Sequence, residues 1–369
     1  MAWDGSSTTD PDAESETELA TEPQTIRGTA TAPDGTTPVL ADRVIVLTGG
    51  TSGIGRAAAR RLAERGATVA AVGRDEERGR SLEAATADAS GEIVFHRADL
   101  ADQAAVRDLG DELLASYPQI HALANNAGIA RSDRAESPDG IELTLAVNHL
   151  APFLLTHELL PRLRESASAS DAAQTAHATA GRDDATQSTA SPSGASGPAR
   201  VVTTSSGLQY RGELDLEDLQ LEAGYDGLEA YARTKLANAA FTLELAERLA
   251  AGAPAGQPPA AVPPVVANCF SPGFVRGTRI WTGAAWRSRV LTRLFSLVPG
   301  IGTDVETGGR RLVELLVAPE YGRENGVFVD EGEIRAADHQ AQDPRVRQRL
   351  WERSAELVGV DPDWPADSS

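Results

Sequence analysis

Short apolar runs recur along this sequence, and most are followed by a longer stretch of helical periodicity. The apolar runs fall at 43–48, 67–72, 93–95, 120–124, 200–204, 265–268 and 326–329. Helical patterns occupy 54–65, 76–87, 103–116, 140–163 and 228–249. Continuous apolar runs of this length read as strands covered on both faces. A helix between two such strands returns the chain by a right-handed crossover, so the strands are parallel. The alternation predicts an α/β fold, a doubly wound parallel sheet of about seven strands in three α/β/α layers. A ligand of such a sheet sits at the carboxyl ends of its strands.

Composition marks off what lies outside the sheet. Residues 1–40 are rich in Ser, Thr, Asp, Glu, Pro and Gly and are expected to be a disordered acidic tail. A single domain is expected over 41–358, with a short acidic tail at 359–369. Ala, Ser, Thr, Gly and Asp dominate about 166–198, which reads as a disordered surface insertion. Residues 251–264 read as a loop stiffened by prolines.

Lys+Arg number 34 against Asp+Glu 54, a net charge of −20 that disfavours nucleic acid and anionic membranes. One cysteine, Cys269, excludes an internal disulfide and fits a cytoplasmic location. No secretory signal and no apolar run long enough to span a bilayer are expected. The six histidines lack paired metal-ligand spacing, so no metal is expected. The acidic excess with a single lysine fits a halophilic cytoplasm of molar salt, although a GC-rich genome also trades lysine for arginine.

That single lysine, Lys235, follows Tyr231 by four residues inside the 228–249 helix. Positions i and i+4 share a face. An ammonium there is expected to favour the phenolate and lower the tyrosine pKa, making it a proton donor or acceptor near neutral pH. After the first strand comes Thr48-Gly49-Gly50-Thr51-Ser52-Gly53-Ile54-Gly55, which opens the first helix. Glycines let the backbone approach a phosphate at the helix N-terminus. The second strand ends at Gly73-Arg74, where an NAD-binding carboxylate would otherwise stand. Arg74 favours NADP through its 2′-phosphate, with Asp75 and NAD left open.

These residues resemble the short-chain dehydrogenase/reductase family over roughly 42–330. The resemblance implies a Rossmann-type fold and a nicotinamide cofactor. It places Gly49, Thr51, Ser52, Gly53, Ile54 and Gly55 on the cofactor, with Asp99 and Leu100 at the adenine. Asn125, Asn126, Ala127 and Gly128 match the turn that closes strand four, and Pro272, Gly273 and Val275 the segment beside the nicotinamide. It implies Asn148, Ser206, Tyr231 and Lys235 as the catalytic set, the last two also touching cofactor. Spacing favours Ser206 over Ser205.

A narrower resemblance is to the retinol-dehydrogenase-like branch, which includes the WW-domain oxidoreductase. Ser206 precedes Tyr231 by 25 residues, against about a dozen in many members. Asn148-His149-Leu150-Ala151-Pro152-Phe153, Lys235-Leu236-Ala237-Asn238 and Leu350-Trp351-Glu352-Arg353-Ser354 also match that branch. The insertion and the acidic N-terminal residues have no counterpart in it, and the membrane anchor of animal retinol dehydrogenases is not recognisable here.

The implied activity is hydride transfer between NADP and a carbonyl or alcohol. Tyr231 would exchange the proton, Ser206 hold the oxygen, Lys235 hold the ribose, and Asn148 anchor a relay water. His149 and His157 read as helix-face residues and Cys269 as core. Trp281, Trp286, Leu291, Leu294 and Phe295 lie in an expected substrate lid at about 274–300, which suggests a bulky apolar substrate. A homo-oligomer stays open. A non-catalytic nucleotide-binding regulator and an enzyme reducing a carbon–carbon double bond are the competing readings.

Overall fold

Seven of the apolar runs form parallel strands in the computed structural model, which describes residues 40–180, 197–252, 262–275 and 302–365. The strands are β1 (Val44–Thr48), β2 (Thr68–Gly73), β3 (Glu92–Arg97), β4 (Ala122–Asn125), β5 (Ala199–Thr204), β6 (Val265–Ser271) and β7 (Phe328–Asp330). An eighth, β8 (Glu333–Arg335), pairs antiparallel with β7 across a two-residue turn. Glu331 and Gly332 both have positive φ, at 55° and 96°, as a tight hairpin turn requires. Three residues, two of them charged, gave β8 no signal in the sequence.

The sheet order is β3-β2-β1-β4-β5-β6-β7-β8. Direction of travel reverses between β1 and β4, which leaves a crevice at their carboxyl ends. One face of the sheet is covered by α1 (Gly53–Glu64) and α7 (Val305–Val317). α2 (Glu76–Ala85) packs beside β3. The other face carries α3 (Gln103–Ser116), α5 (Ala151–Ala180), α6 (Gly227–Ala251) and, after the short α8 (His339–Gln342), α9 (Pro344–Val358). The predicted helix at 140–163 is broken into three. A short α turn, α4 (Leu143–Leu145), leads into a π-helical turn, Ala146–Leu150, which continues as α5.

Two expected boundaries move. α5 runs to Ala180, past the start of the expected insertion at 166. Ser166 is buried there, accepts from the Ile120 N–H at 2.8 Å and donates to the Arg162 carbonyl at 2.7 Å. Alanine and serine satisfy a helix as readily as a loop, so composition misplaced the boundary. The packed domain also continues into the expected acidic tail at 359–369. Trp364 is buried against Trp351 at 4.4 Å and Phe153 at 5.0 Å between ring centroids. The N-terminal residues before Leu40, the rest of the insertion and nearly all of the expected lid lie outside the described residues.

Candidate active site

Thr48, at the end of β1, ties the crevice together. Its hydroxyl donates to the Ala124 carbonyl at 3.2 Å and accepts from the N–H groups of Asn126 at 2.9 Å and Ala127 at 3.1 Å. Asn126 returns a side-chain N–H to the Thr48 carbonyl at 3.0 Å. The glycine loop is packed onto this turn. Gly49 has φ +68°, and a Cβ there would stand 3.0 Å from Ala127 Cα. A Cβ on Gly55 would stand 2.2 Å from the Gly49 carbonyl oxygen, so only glycine lets α1 begin so close to the loop.

The first turn of α1 carries no acidic residue, and its N-cap, Ser52, makes no side-chain cap bond. Asp75, Asp102 and Asp226 cap α2, α3 and α6 in the usual way. The first amides of α1 thus have no side-chain cap from Ser52.

The end of β2 is crowded at Gly73. A Cβ on Gly73 would lie 2.8 Å from the Thr51 hydroxyl. Asp75 is occupied with its own helix, accepting from the Arg78 N–H at 3.1 Å and pairing with the Arg78 guanidinium at 3.0 Å. Arg74 is largely exposed and stands 3.9 Å from the Asp99 carboxylate. Asp99 accepts from the Ala101 N–H at 3.1 Å, and Leu100 beside it is buried.

Of the β4 turn, Asn125 points away from the crevice, donating to the Thr156 hydroxyl of α5 at 3.0 Å. Gly128 links the two halves of the site: a Cβ there would lie 3.4 Å from Asn148 Oδ1 and 3.5 Å from Lys235 Nζ. Only the step from Ala127 to Gly128 separates the glycine loop from the lysine. Pro272, Gly273 and Val275 follow β6. Gly273 has φ +77°, and the Glu331 carboxylate lies against it. Val275 bridges to Thr303.

Tyr231 and Lys235 sit on α6 and are both buried, 6% and 3% exposed. Nζ lies 5.4 Å from the centre of the Tyr231 ring and donates to the Thr204 carbonyl at 3.0 Å. The Ser206 hydroxyl hydrogen-bonds the Tyr231 phenol. Ser205 instead is buried behind the site and donates to the Lys235 carbonyl at 2.7 Å, which separates the two neighbouring serines by role. Asn148, on the π-helical turn, donates to the Ile129 carbonyl at 2.9 Å and the Thr234 hydroxyl at 3.0 Å. Its Oδ1 accepts from the Ile129 N–H at 2.8 Å. Its side chain therefore braces the turn after Gly128 against α6.

The expected lowering of the Tyr231 pKa is not found in the protein without cofactor. Burial pushes the phenol up to about 12, with the Ser206 hydrogen bond pulling the other way. Burial also brings Lys235 down to about 8. The lysine is aimed at the Thr204 carbonyl, and loss of water outweighs what the ammonium gives the phenol.

His149 also departs from expectation. It is fully buried rather than on a helix face, and burial lowers it to about 4. Burial pushes the Cys269 thiol up to about 12. Among the described residues no cluster of metal-binding side chains occurs, and no helix is long and apolar enough to cross a membrane. Neither the knot made by Thr48 nor the backing bond made by Ser205 is legible in the sequence, because both depend on partners far along the chain.

Residues 43–173 match the family model for short chain dehydrogenase. The chain is 34% identical over 322 residues to the polyprenol dehydrogenase of Mus musculus, covering 86% of this chain and 84% of that one. It is 32% identical over 320 residues to retinol dehydrogenase 12 of Bos taurus, covering 86% and 87%. A crystal structure of an uncharacterized protein from Mycobacterium paratuberculosis superposes with a TM-score of 0.63 at 27% identity, covering 88% of this chain and 96% of that one. Similarity that runs through both halves of the crevice and nearly the whole described fold settles the assignment. The chain belongs to the short-chain dehydrogenase/reductase family, in its retinol-dehydrogenase-like branch, and is an oxidoreductase acting on CH–OH groups.

Proposed function

We propose that this enzyme interconverts a bulky, apolar alcohol and its carbonyl compound with NADP, Tyr231 exchanging the substrate proton. The observation that carries the reading is the buried Tyr231–Lys235 pair with half-buried Ser206 on the phenol, one residue step from the glycine loop through Ala127 and Gly128.

The residues present fit a nicotinamide dinucleotide. A Cβ would fill the cradle at Gly49 and Gly55, and the uncapped amides of α1 suit a pyrophosphate. Thr51, Ser52, Gly53 and Ile54 line that loop. Arg74 suits a 2′-phosphate, while Thr51 crowds out the carboxylate that a 2′-hydroxyl would need. Asp99, Leu100 and Asn126 border the adenosine side. Pro272, Gly273 and Val275 border the nicotinamide side. When bound, the cofactor supplies or accepts the hydride.

The chain's own residues manage the proton and the charge. In reduction, Tyr231 Oη gives its proton to the carbonyl oxygen. Ser206 Oγ donates to the same oxygen and stabilises its developing negative charge. Lys235 Nζ keeps a positive charge beside the phenol as the proton leaves. Asn148 holds the turn at Gly128 and Ile129 so that Nζ stays in place. Alcohol oxidation reverses these steps.

Two observations support an apolar substrate. Leu228, one turn before Tyr231 on α6, and Phe274, beyond β6, are each 43% exposed. Retinol and polyprenol, named for two relatives, are bulky apolar alcohols.

The test is turnover by the purified protein in molar salt, with NADPH and NADH offered separately against apolar aldehydes, ketones and the corresponding alcohols. Tyr231→Phe is expected to lower kcat by about a hundredfold or more. Turnover that survives this change unaltered would refute the role of Tyr231. Product analysis distinguishes an alcohol from a reduced carbon–carbon double bond.

A further inference from the structure

We propose that Asn238, oriented by His149 and Ser354, is a positioning residue that sets the charge balance of Lys235. The proposal deepens the reading of Lys235 given above and names a control on it from the far side of the helical layer.

Four buried side chains from three elements form one line. Ser354 Oγ on α9 lies 2.8 Å from His149 Nε2 on the π-helical turn. His149 Nδ1 lies 3.3 Å from Asn238 Oδ1 on α6. Asn238 Nδ2 donates to the Thr204 carbonyl at 3.1 Å, and that same carbonyl takes the Lys235 ammonium at 3.0 Å. Ser354, His149, Asn238 and Lys235 are 0%, 0%, 1% and 3% exposed, so bulk solvent does not compete for these bonds.

Donor bookkeeping gives the line a direction. Asn238 Oδ1 can only accept, so His149 must carry its proton on Nδ1. Among the described residues no charged group shifts the imidazole, whose neighbours include the Phe153 and Phe241 rings and the two polar partners, and burial keeps it neutral. Nε2 is then bare and can only accept from the Ser354 hydroxyl, for whose single proton the Leu350 carbonyl at 2.7 Å competes. Donation therefore runs from Ser354 to His149, to Asn238, to the Thr204 carbonyl.

This direction has a consequence at Nζ. The positive end of the Asn238 amide faces the ammonium, and a second donor on the shared carbonyl weakens it as an acceptor. Both effects disfavour the charged lysine. The titratable groups around Nζ are Tyr231 on the same helix, Cys269 on β6 and, through Asn238, His149. Without the Ser354 hydroxyl, Nε2 loses its donor and only Asn238 Oδ1 still holds the imidazole proton on Nδ1. The other tautomer would turn the amide and bring Oδ1 toward Nζ.

Lys235 is the only lysine in the sequence, so its titration can be followed directly. Full-length protein labelled with ¹⁵N,¹³C-lysine should give one side-chain signal. Its midpoint would be compared in the parent, Asn238→Leu and Ser354→Ala, with circular dichroism reporting folding. A net hydrogen bond corresponds to about half a pH unit to one unit, and both variants are expected to move the midpoint upward by that much. An unmoved or lowered midpoint in the folded variants overturns the proposal. Should Asn238→Leu fail to fold, Ser354→Ala, on a different helix, decides alone. Turnover is not the readout, so failure of the catalytic reading and failure of this one remain distinguishable.

Discussion

Lys235 is stabilising in none of the usual ways. It is buried, donates to one shared carbonyl, and its pKa falls from 10.5 to about 8. The folded state then binds fewer protons than the unfolded state between about 8 and 10.5. Its burial cost is fully present at neutral pH, and stability rises with pH through that window. Tyr231 acts oppositely. With its folded value at about 12, the unfolded chain ionises first, so stability falls above about 10.

Lys235→Met should therefore be more stable than the parent at pH 7, by up to about 3 kcal/mol, and inactive. Thermal melts at pH 7 and pH 10 should show that advantage shrinking. A constant advantage would mean that the lysine is not uncharged in the folded protein at high pH. Arg74 acts on binding rather than stability. Arg74→Ala is expected to weaken NADPH binding by about tenfold, the scale of a single exposed charge-assisted contact, and to leave NADH unchanged. Fluorescence titration with both cofactors checks it, and equal losses would remove Arg74 as the selector.

At the scale of elements, α9 and the residues after it clamp α5 and α6. Phe153 of α5, Phe241 of α6, Trp351 of α9 and Trp364 form one aromatic cluster, and the Arg248 guanidinium lies 4.4 Å over the Trp351 ring. Trp351 Nε1 donates to the Pro362 carbonyl at 2.9 Å, which pins the chain after the helix. These contacts hold α5 and α6, which follow or carry Asn148, Tyr231 and Lys235. Trp364→Ala is expected to cost about 3 kcal/mol, the range for a buried aromatic truncated to alanine. Denaturant unfolding measures it. A change under 1 kcal/mol would show that the fold ends at Val358 in practice.

At the scale of the whole molecule, a net charge of −20 makes self-repulsion a term in folding. Screening shortens from about 10 Å at 0.1 M salt to about 3 Å at 1 M. The melting temperature is expected to rise steadily between 0.1 M and 2 M KCl, and turnover with it. A flat salt profile would instead tie the arginine preference to base composition. The strand order that reverses between β1 and β4 gathers the glycine loop, the Asn126–Gly128 turn and the α6 pair along one rim of the sheet.

Periodicity and spacing act over a few residues, and that is why the alternation, the glycine loop and the Tyr231–Lys235 pair could be recognised before any coordinates. Helix α3 lies at 103–116 as its pattern foretold, and α6 carries its pair on one buried face. Other features depend on which groups come together from remote positions and lose water there. Ser205 and Ser206 are chemically alike, yet one meets the Lys235 carbonyl and the other the Tyr231 phenol. The Tyr231 shift runs opposite to what the spacing implies because a pKa answers to burial, which spacing does not report. His149, Asn238 and Ser354 lie 89 and 205 residues apart along the bonds they share, so only packing could join them to Lys235.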